Sequence, residues 1–236
     1  MTTRHDVRFP GESIEYREAR NALLDAELAL RRQIEKVAEM RRALPPGGNL
    51  KQDYVFDAGP AGGSGGSVRF SDLFAPGRDS LVIYNFMYAP SAGHPCPMCT
   101  AFIDSLDGAV RHLERRINIA LVAKAPYDRL ADLAKSRGWT HIRLLSSLSN
   151  NFNNDYNAEQ SPDVQRPVMS VFTRSDDGIR HTYSTELLFL PPDEGQNHRH
   201  IDTMWPLWNV LDLVPEGRGT DWYPSLDYSA AMTEAD

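Results

Sequence analysis

The chain has 236 residues, 41% hydrophobic and 24% charged, with a formal net charge of −7 and two cysteines. That length buries the core of one domain with extensions, while the acidic balance and the lack of a basic run exclude a nucleic-acid groove. No window reaches the roughly 18 uninterrupted apolar residues of a membrane span, and Met1-Thr2-Thr3-Arg4-His5-Asp6 has no apolar run behind its charge. The expectation is a cytoplasmic protein with neither signal nor transit peptide.

Ile14 to Leu44 reads as one long helix, rich in Ala, Leu, Glu and Arg and free of Gly and Pro until Pro45-Pro46-Gly47-Gly48 ends it. Tyr16, Leu23, Leu30, Val37 and Leu44 recur at heptad spacing, with Ala19, Ala26, Gln33 and Met40 between them. Such a seam serves either as a homodimer arm or as a face packed on the helix's own domain. Gly59-Pro60-Ala61-Gly62-Gly63-Ser64-Gly65-Gly66 lacks the Gly-Lys-Ser/Thr ending of a phosphate loop, so it reads as a flexible connection between Tyr54 and Phe74. Val68-Arg69-Phe70 and Ser71 to Phe74 read as a short strand and a helical turn.

Leu81 to Tyr88 is a buried-strand pattern, followed by His94-Pro95-Cys96-Pro97-Met98-Cys99 and a helical pattern from Thr100 to Arg116. Ile117 to Ala123 reads as a second buried strand. A helix follows from Tyr127 to Arg137, started by Pro126 and stopped by Gly138, and His141 to Leu145 reads as a strand. Val168 to Thr173 and Ile179 to Tyr183, joined by Ser175-Asp176-Asp177-Gly178, form a hairpin. A last helix falls near Thr203 to Leu213 despite Pro206. The acidic, turn-rich tail from Gly217 reads as irregular, with Trp222, Tyr223 and Tyr228 available to dock it.

Strand, turn, C-x-x-C and helix in this order form the thioredoxin arrangement. In a helix starting near Cys96, positions i and i+3 share a face, which brings the sulfurs of Cys96 and Cys99 within reach of a reversible disulfide. At the helix N-terminus, unpaired N–H groups and the macrodipole favour a thiolate on Cys96. Cys96 is therefore the attacking sulfur and Cys99 the resolving one, with a protein or small-molecule thiol or disulfide as substrate and no cofactor. His94 is placed to assist through charge or hydrogen bonding, and Asp104 and Asp107 are candidate proton acceptors for Cys99.

Other readings of the pair remain open. Cysteines near a helix start also serve as buried packing or as a short stapling disulfide. Half a zinc site would need a second paired element, which the sequence lacks, whereas Cys96, Cys99 and His94, with help from a residue such as His181, could hold copper or zinc. A peroxiredoxin-like peroxidase would oxidise Cys96 to a sulfenic acid that Cys99 resolves, although no Pro-x-x-x-Thr-x-x-Cys pattern is present.

Several motifs together resemble one family. They are Phe86-Met87-Tyr88, Cys96-Pro97-x-Cys99, Asp104, Asp107-Gly108, His181-Thr182-Tyr183-Ser184-Thr185 and Leu211-Asp212-Leu213-x-Pro215-x-Gly217-Arg218. In this order they resemble the thioredoxin-like bacterial family called domain of unknown function 899, predicted dithiol–disulfide oxidoreductases, over about residues 16–218. Ser146 to Tyr156 also resembles a family motif, with polar residues expected to line the site. The resemblance implies an α/β thioredoxin-like fold, a central mixed sheet flanked by helices, with a long N-terminal helical extension. The expected organisation is an extension over 1–50, the thioredoxin-like domain over 51–216 and the tail over 217–236. By analogy with that fold, Pro167 falls where a cis-proline faces the dithiol. Pro95 and Pro97 flank the sulfurs, while His181 and Tyr183 are expected on one strand face at the pocket.

Overall fold

Asn118–Ala123 is buried along its whole length, which a strand achieves only when both faces of its sheet are covered. It is β4 of a seven-stranded sheet in a computed structural model that describes residues 5–59, 66–191, 194, 202–219 and 222–228. The sheet runs in the order β2-β1-β5-β4-β3-β8-β9, from β1 (Val55–Asp57), β2 (Ser67–Arg69), β3 (Ser80–Phe86), β5 (Arg143–Ser146), β8 (Val168–Ser175) and β9 (Gly178–Ser184). β3, β4 and β5 are parallel, and the remaining pairings are antiparallel. The parallel crossovers are α2 (Pro97–Leu113) and α3 (Tyr127–Arg137); α5 (Pro206–Leu211) follows the β8–β9 hairpin. A parallel β-α-β-α-β run closed by an antiparallel hairpin and a helix is a thioredoxin-like fold.

Strand parity separates two cores. Tyr84, Phe86, Ile119 and Leu121 point to the face that packs Phe102 and Ile103 of α2, Leu130 of α3 and Trp208 of α5. Leu81, Ile83, Ala120 and Val122 point the other way, onto Tyr54, Phe56, Phe70, Phe152 and Phe172. The aromatic cluster on this second face includes edge-on pairs such as Phe70–Phe172, 4.8 Å between centroids.

Most expected elements lie where periodicity puts them. Gly138 ends α3 in the left-handed region at φ 74°, which a residue with a Cβ adopts at a cost. The first strand β1, the four-residue helix α4 (Phe152–Asp155) and the small pair β6 (Glu159–Ser161) and β7 (Val164–Gln165) are additions to the sequence reading. The expected last helix is two pieces, a 3-10 turn over Asp202–Met204 and α5, because Pro206 starts a new helix at its first turn instead of being spanned. Trp222 and Tyr223 meet the Trp208 ring, with centroids 5.9 and 6.5 Å away. Of the glycine-rich connection, residues 60–65 lie outside the described residues, as do 229–236 of the tail.

The chain divides into two compact units, Met1–Pro45 and Pro46–Asp236. The first consists mainly of α1 (Ile14–Arg42), capped by Ser13 Oγ, which accepts the Tyr16 N–H at 3.1 Å. No residue of α1 is buried, and Leu23, Leu30 and Met40 of its seam are exposed. No described helix is long and apolar enough to cross a membrane.

Candidate active site

Both cysteines are free thiols at the start of α2. Cys96 is the N-cap residue and Pro97 occupies the first turn, where a missing N–H costs nothing. The Cys96 N–H donates to the Met87 carbonyl at the end of β3 (3.1 Å), and the Thr100 hydroxyl donates to the Cys96 carbonyl (2.9 Å). Arg129 of α3 holds the intervening loop. It donates to the carbonyls of Pro90 (2.6 Å) and Ala92 and to the Tyr88 hydroxyl (3.0 Å), and it lies 4.7 Å from the centre of the Tyr88 ring.

This anchoring gives the two sulfurs different electrostatics. Cys96 is partly exposed as a residue, and its Sγ accepts the Cys99 N–H at 3.5 Å. The Cys99 thiol stabilises the Cys96 thiolate most, aided by the Cys99 and Met98 backbone N–H groups and His94; against the opposing pull of burial, they lower the Cys96 pKa to about 7. Cys99 is buried, and hydrogen bonding to Cys96 together with burial pushes its thiol well above the ordinary range. Tyr84, in hydrogen-bonding reach of Cys99, pulls weakly the other way. A cavity of about 170 Å³ opens beside the pair, walled largely by apolar groups: Met87, Met98, Phe102, Leu188 and Trp205.

The expected supporting residues separate. His94 is exposed, with Nδ1 3.1 Å from the Pro95 carbonyl, and Pro95 is buried. Pro167 lines the dithiol cavity, but no peptide bond among the described residues is cis, so the proline meets the site through a trans bond. Asp104 accepts from Arg137 and from Trp139 Nε1 (2.8 Å). Asp107 is buried and accepts the N–H groups of Thr140, His141 and Ile142 at 3.1, 3.0 and 2.8 Å. Both carboxylates are engaged at the α3–β5 connection, and neither lines the dithiol cavity.

His181 and Tyr183 do not share a face. A β-bulge leaves Val171 opposite Tyr183 and Phe172 opposite His181, so Thr182 is the extra residue and the alternation reverses. His181 consequently sits with Phe172 on the second face, across the sheet from the cysteines, and cannot complete a metal site with them. Among the described residues no three His, Cys, Asp or Glu side chains come together as a metal site. The polar stretch Ser146 to Tyr156 also serves the second face, where Asn153 accepts from Ser147 (2.8 Å) and Asn85 (3.1 Å).

Sequence reading missed Tyr84 and Trp205. Parity with Phe86 would have put Tyr84 on the α2 face, whereas nothing local to Trp205 signals its approach to the sulfurs.

The family model described as a bacterial protein of unknown function, DUF899, matches residues 6–229. The chain belongs to this family. No curated protein matches this DUF899 member in sequence. Similar solved structures include a cysteine-to-serine mutant of PrxQ from Xylella fastidiosa, 12% identical, covering 60% of this chain and 84% of that one with a TM-score of 0.45. The reduced 2-Cys peroxiredoxin of Plasmodium vivax is 19% identical over 64% of this chain and 91% of that one, with a TM-score of 0.41. AhpC of Enterococcus faecalis is 11% identical over 71% of this chain and 94% of that one, with a TM-score of 0.45.

Proposed function

We propose that this DUF899 protein is a dithiol–disulfide oxidoreductase in which Cys96 attacks and Cys99 resolves. The observation that carries the reading is the split between the thiols: one partly exposed and lowered to about 7, the other buried and held protonated one helical turn away. The Cys96 thiolate attacks a substrate disulfide, forming a mixed disulfide and expelling the first substrate thiolate. Cys99 then attacks Cys96 Sγ as its proton passes to the departing second thiolate, leaving a Cys96–Cys99 disulfide and a substrate thiol. Two electrons have passed from the protein dithiol to the substrate, and no cofactor takes part.

The lowered thiol accounts for attack near neutral pH, and the raised one keeps the resolving sulfur protonated until a mixed disulfide forms. The apolar cavity favours a protein or small-molecule disulfide carrying a small apolar group beside its sulfur. In a cytoplasmic setting, two equivalents of a small thiol, oxidised to their disulfide, return the pair to the dithiol between turnovers. A second copy of the chain is the other proposed partner, joined through the exposed seam of α1.

Cys99→Ser tests the reading. Incubated with a disulfide substrate, it is expected to accumulate a mixed disulfide on Cys96, seen by mass spectrometry, whereas Cys96→Ser traps nothing. Equal trapping by both variants would remove the assigned roles. Sulfenic acid on Cys96 after peroxide, without disulfide exchange, would convert the reading to a thiol peroxidase.

A further inference from the structure

Across the sheet from the dithiol, β9 carries reactive side chains that thiol exchange leaves unused. His181 Nε2 and Ser184 Oγ are 2.8 Å apart, and Ser170 Oγ lies 2.8 Å from Ser184 Oγ. Ser170 is fully buried, and the two contacts are satisfied together when Ser170 donates to Ser184 and Ser184 donates to Nε2 of a neutral imidazole. The Tyr183 backbone, two residues along β9, favours the charged form of the His181 ring. The ring is flanked by Tyr156 and Phe172, whose centroids are 5.5 and 5.3 Å away. Burial lowers its pKa, so the ring is an acceptor at neutral pH. A serine hydroxyl at hydrogen-bond distance from an imidazole that two packed rings hold in place is an arrangement able to activate serine.

His181 and Ser184 line a cavity of about 590 Å³, a volume suited to a small molecule. The segment Gly47 to Leu50 runs along β9 as part of its wall. There the His181 N–H donates to the Gly48 carbonyl (2.9 Å), and a Cβ on Gly47 would collide with the His181 carbonyl. Asn157, the only non-glycine residue with positive φ among those described (58°), lines the same cavity. Of the cavity's cations, Lys51 is paired with Asp155, whereas Arg166 lies over the Phe189 ring at 5.9 Å with no carboxylate partner among the described residues. Glu186 lines the cavity too, so the lining is balanced overall and an anion would be held locally by the Arg166 fork.

We propose that Ser184 is a base-activated nucleophile and that this cavity takes small acyl esters bearing an anionic group, which Arg166 anchors. Ser184 Oγ bonds to the acyl carbon as its proton passes to His181 Nε2. The ester C–O bond breaks, and the departing alcohol takes that proton from the imidazole. Water, giving a proton to the same nitrogen, then attacks the acyl-serine; the bond to Oγ breaks, the carboxylic acid leaves and the Ser184 hydroxyl is restored. This inference is independent of the dithiol reading.

The test is to label the full chain with an alkyl fluorophosphonate and map the adduct by mass spectrometry. The expected result is an adduct on Ser184 that forms about 10²-fold faster than in His181→Gln, the usual contribution of a positioned base. A succinate monoester should also be hydrolysed faster than the acetate ester of the same alcohol, a preference lost in Arg166→Ala. No adduct on Ser184 in the unmodified chain overturns the proposal whether or not the variants fold, and leaves the three side chains as a polar closure of β9. An adduct rate indifferent to His181→Gln overturns base activation, and the absence of an anion preference overturns the role of Arg166.

Discussion

The same strands present two different interiors. On the α2 face, the walls beside the sulfurs are mostly apolar, with Phe102, Leu188 and Trp205 among them. On the opposite face, an aromatic cluster shares the sheet with a buried amide network, Asn85–Asn153–Gln165, and with the Ser170–Ser184–His181 chain. The apolar face isolates two thiols so that each interaction shifts them strongly, because a low local dielectric magnifies a single hydrogen bond or charge. The polar face holds groups in fixed geometry through several hydrogen bonds at once. Parity decides which side chain meets which environment, and the bulge at Thr182 reassigns it at the β9 edge.

The comparison breaks most visibly at the cysteines. Cys96→Ser is expected to lower disulfide reduction by on the order of 10³-fold or more, the scale of losing a nucleophile. Cys99→Ala should retain one round of attack and lose turnover, as read in single-turnover and steady-state assays. Turnover retained in Cys96→Ser would place the chemistry elsewhere.

Two core truncations sharpen the contrast between the faces. Phe102→Ala and Phe152→Ala should each cost about 3–5 kcal/mol in urea unfolding, because both rings are almost fully buried. Only Phe102→Ala should also change the alkylation rate of Cys96, since that ring walls the dithiol cavity. A change of similar size in Phe152→Ala would mean that the sheet does not insulate one face from the other. Asp107→Ala leaves three backbone donors without their acceptor, and about 1–3 kcal/mol should be lost with the thiol titration unmoved.

Titration gives a subtler effect. The native alkylation rate of Cys96 should rise with a midpoint of about 7, and Cys99→Ala should move that midpoint upward by removing the largest stabiliser of the thiolate. Because the folded value is depressed, the Cys96 contribution to stability of the reduced protein is full above its ordinary thiol pKa and is lost as pH falls through about 7. An unchanged midpoint in Cys99→Ala would assign the shift to the backbone N–H groups at the helix start and to His94. The smallest effect on this comparison belongs to α1: Leu23→Glu and Leu30→Glu should halve the sedimenting mass if the seam joins two copies, and leave the Cys96 midpoint untouched. An unchanged mass would remove the dimer arm.

Much of this arrangement is legible in the residues, and the exceptions have physical reasons. β3, α2, β4 and α3 announce themselves because each runs for at least six residues with an unambiguous period, and Pro126 and Gly138 mark the ends of α3. β1, β6 and β7 are two or three residues long, too short for alternation to register. The spacing of the two cysteines gives their placement, one helical turn apart at the start of α2. Asp104 and Asp107 look equally suited to serve them, and only the α3–β5 connection, distant in sequence, reveals which donors claim their oxygens. The misplacement of His181 has a single cause, since alternation counted along β9 is correct until one extra residue at Thr182 inverts it.

The Arg129 clamp has a consequence for how the redox state could be recognised. With the loop before Cys96 tied at Tyr88, Pro90 and Ala92, and with the sulfurs one helical turn apart, oxidation joins atoms that are already neighbours on an anchored backbone. The reduced and oxidised forms should therefore present nearly the same outline. Under the proposed exchange, a partner that distinguishes them must touch the sulfur itself, which puts recognition and electron transfer at one atom.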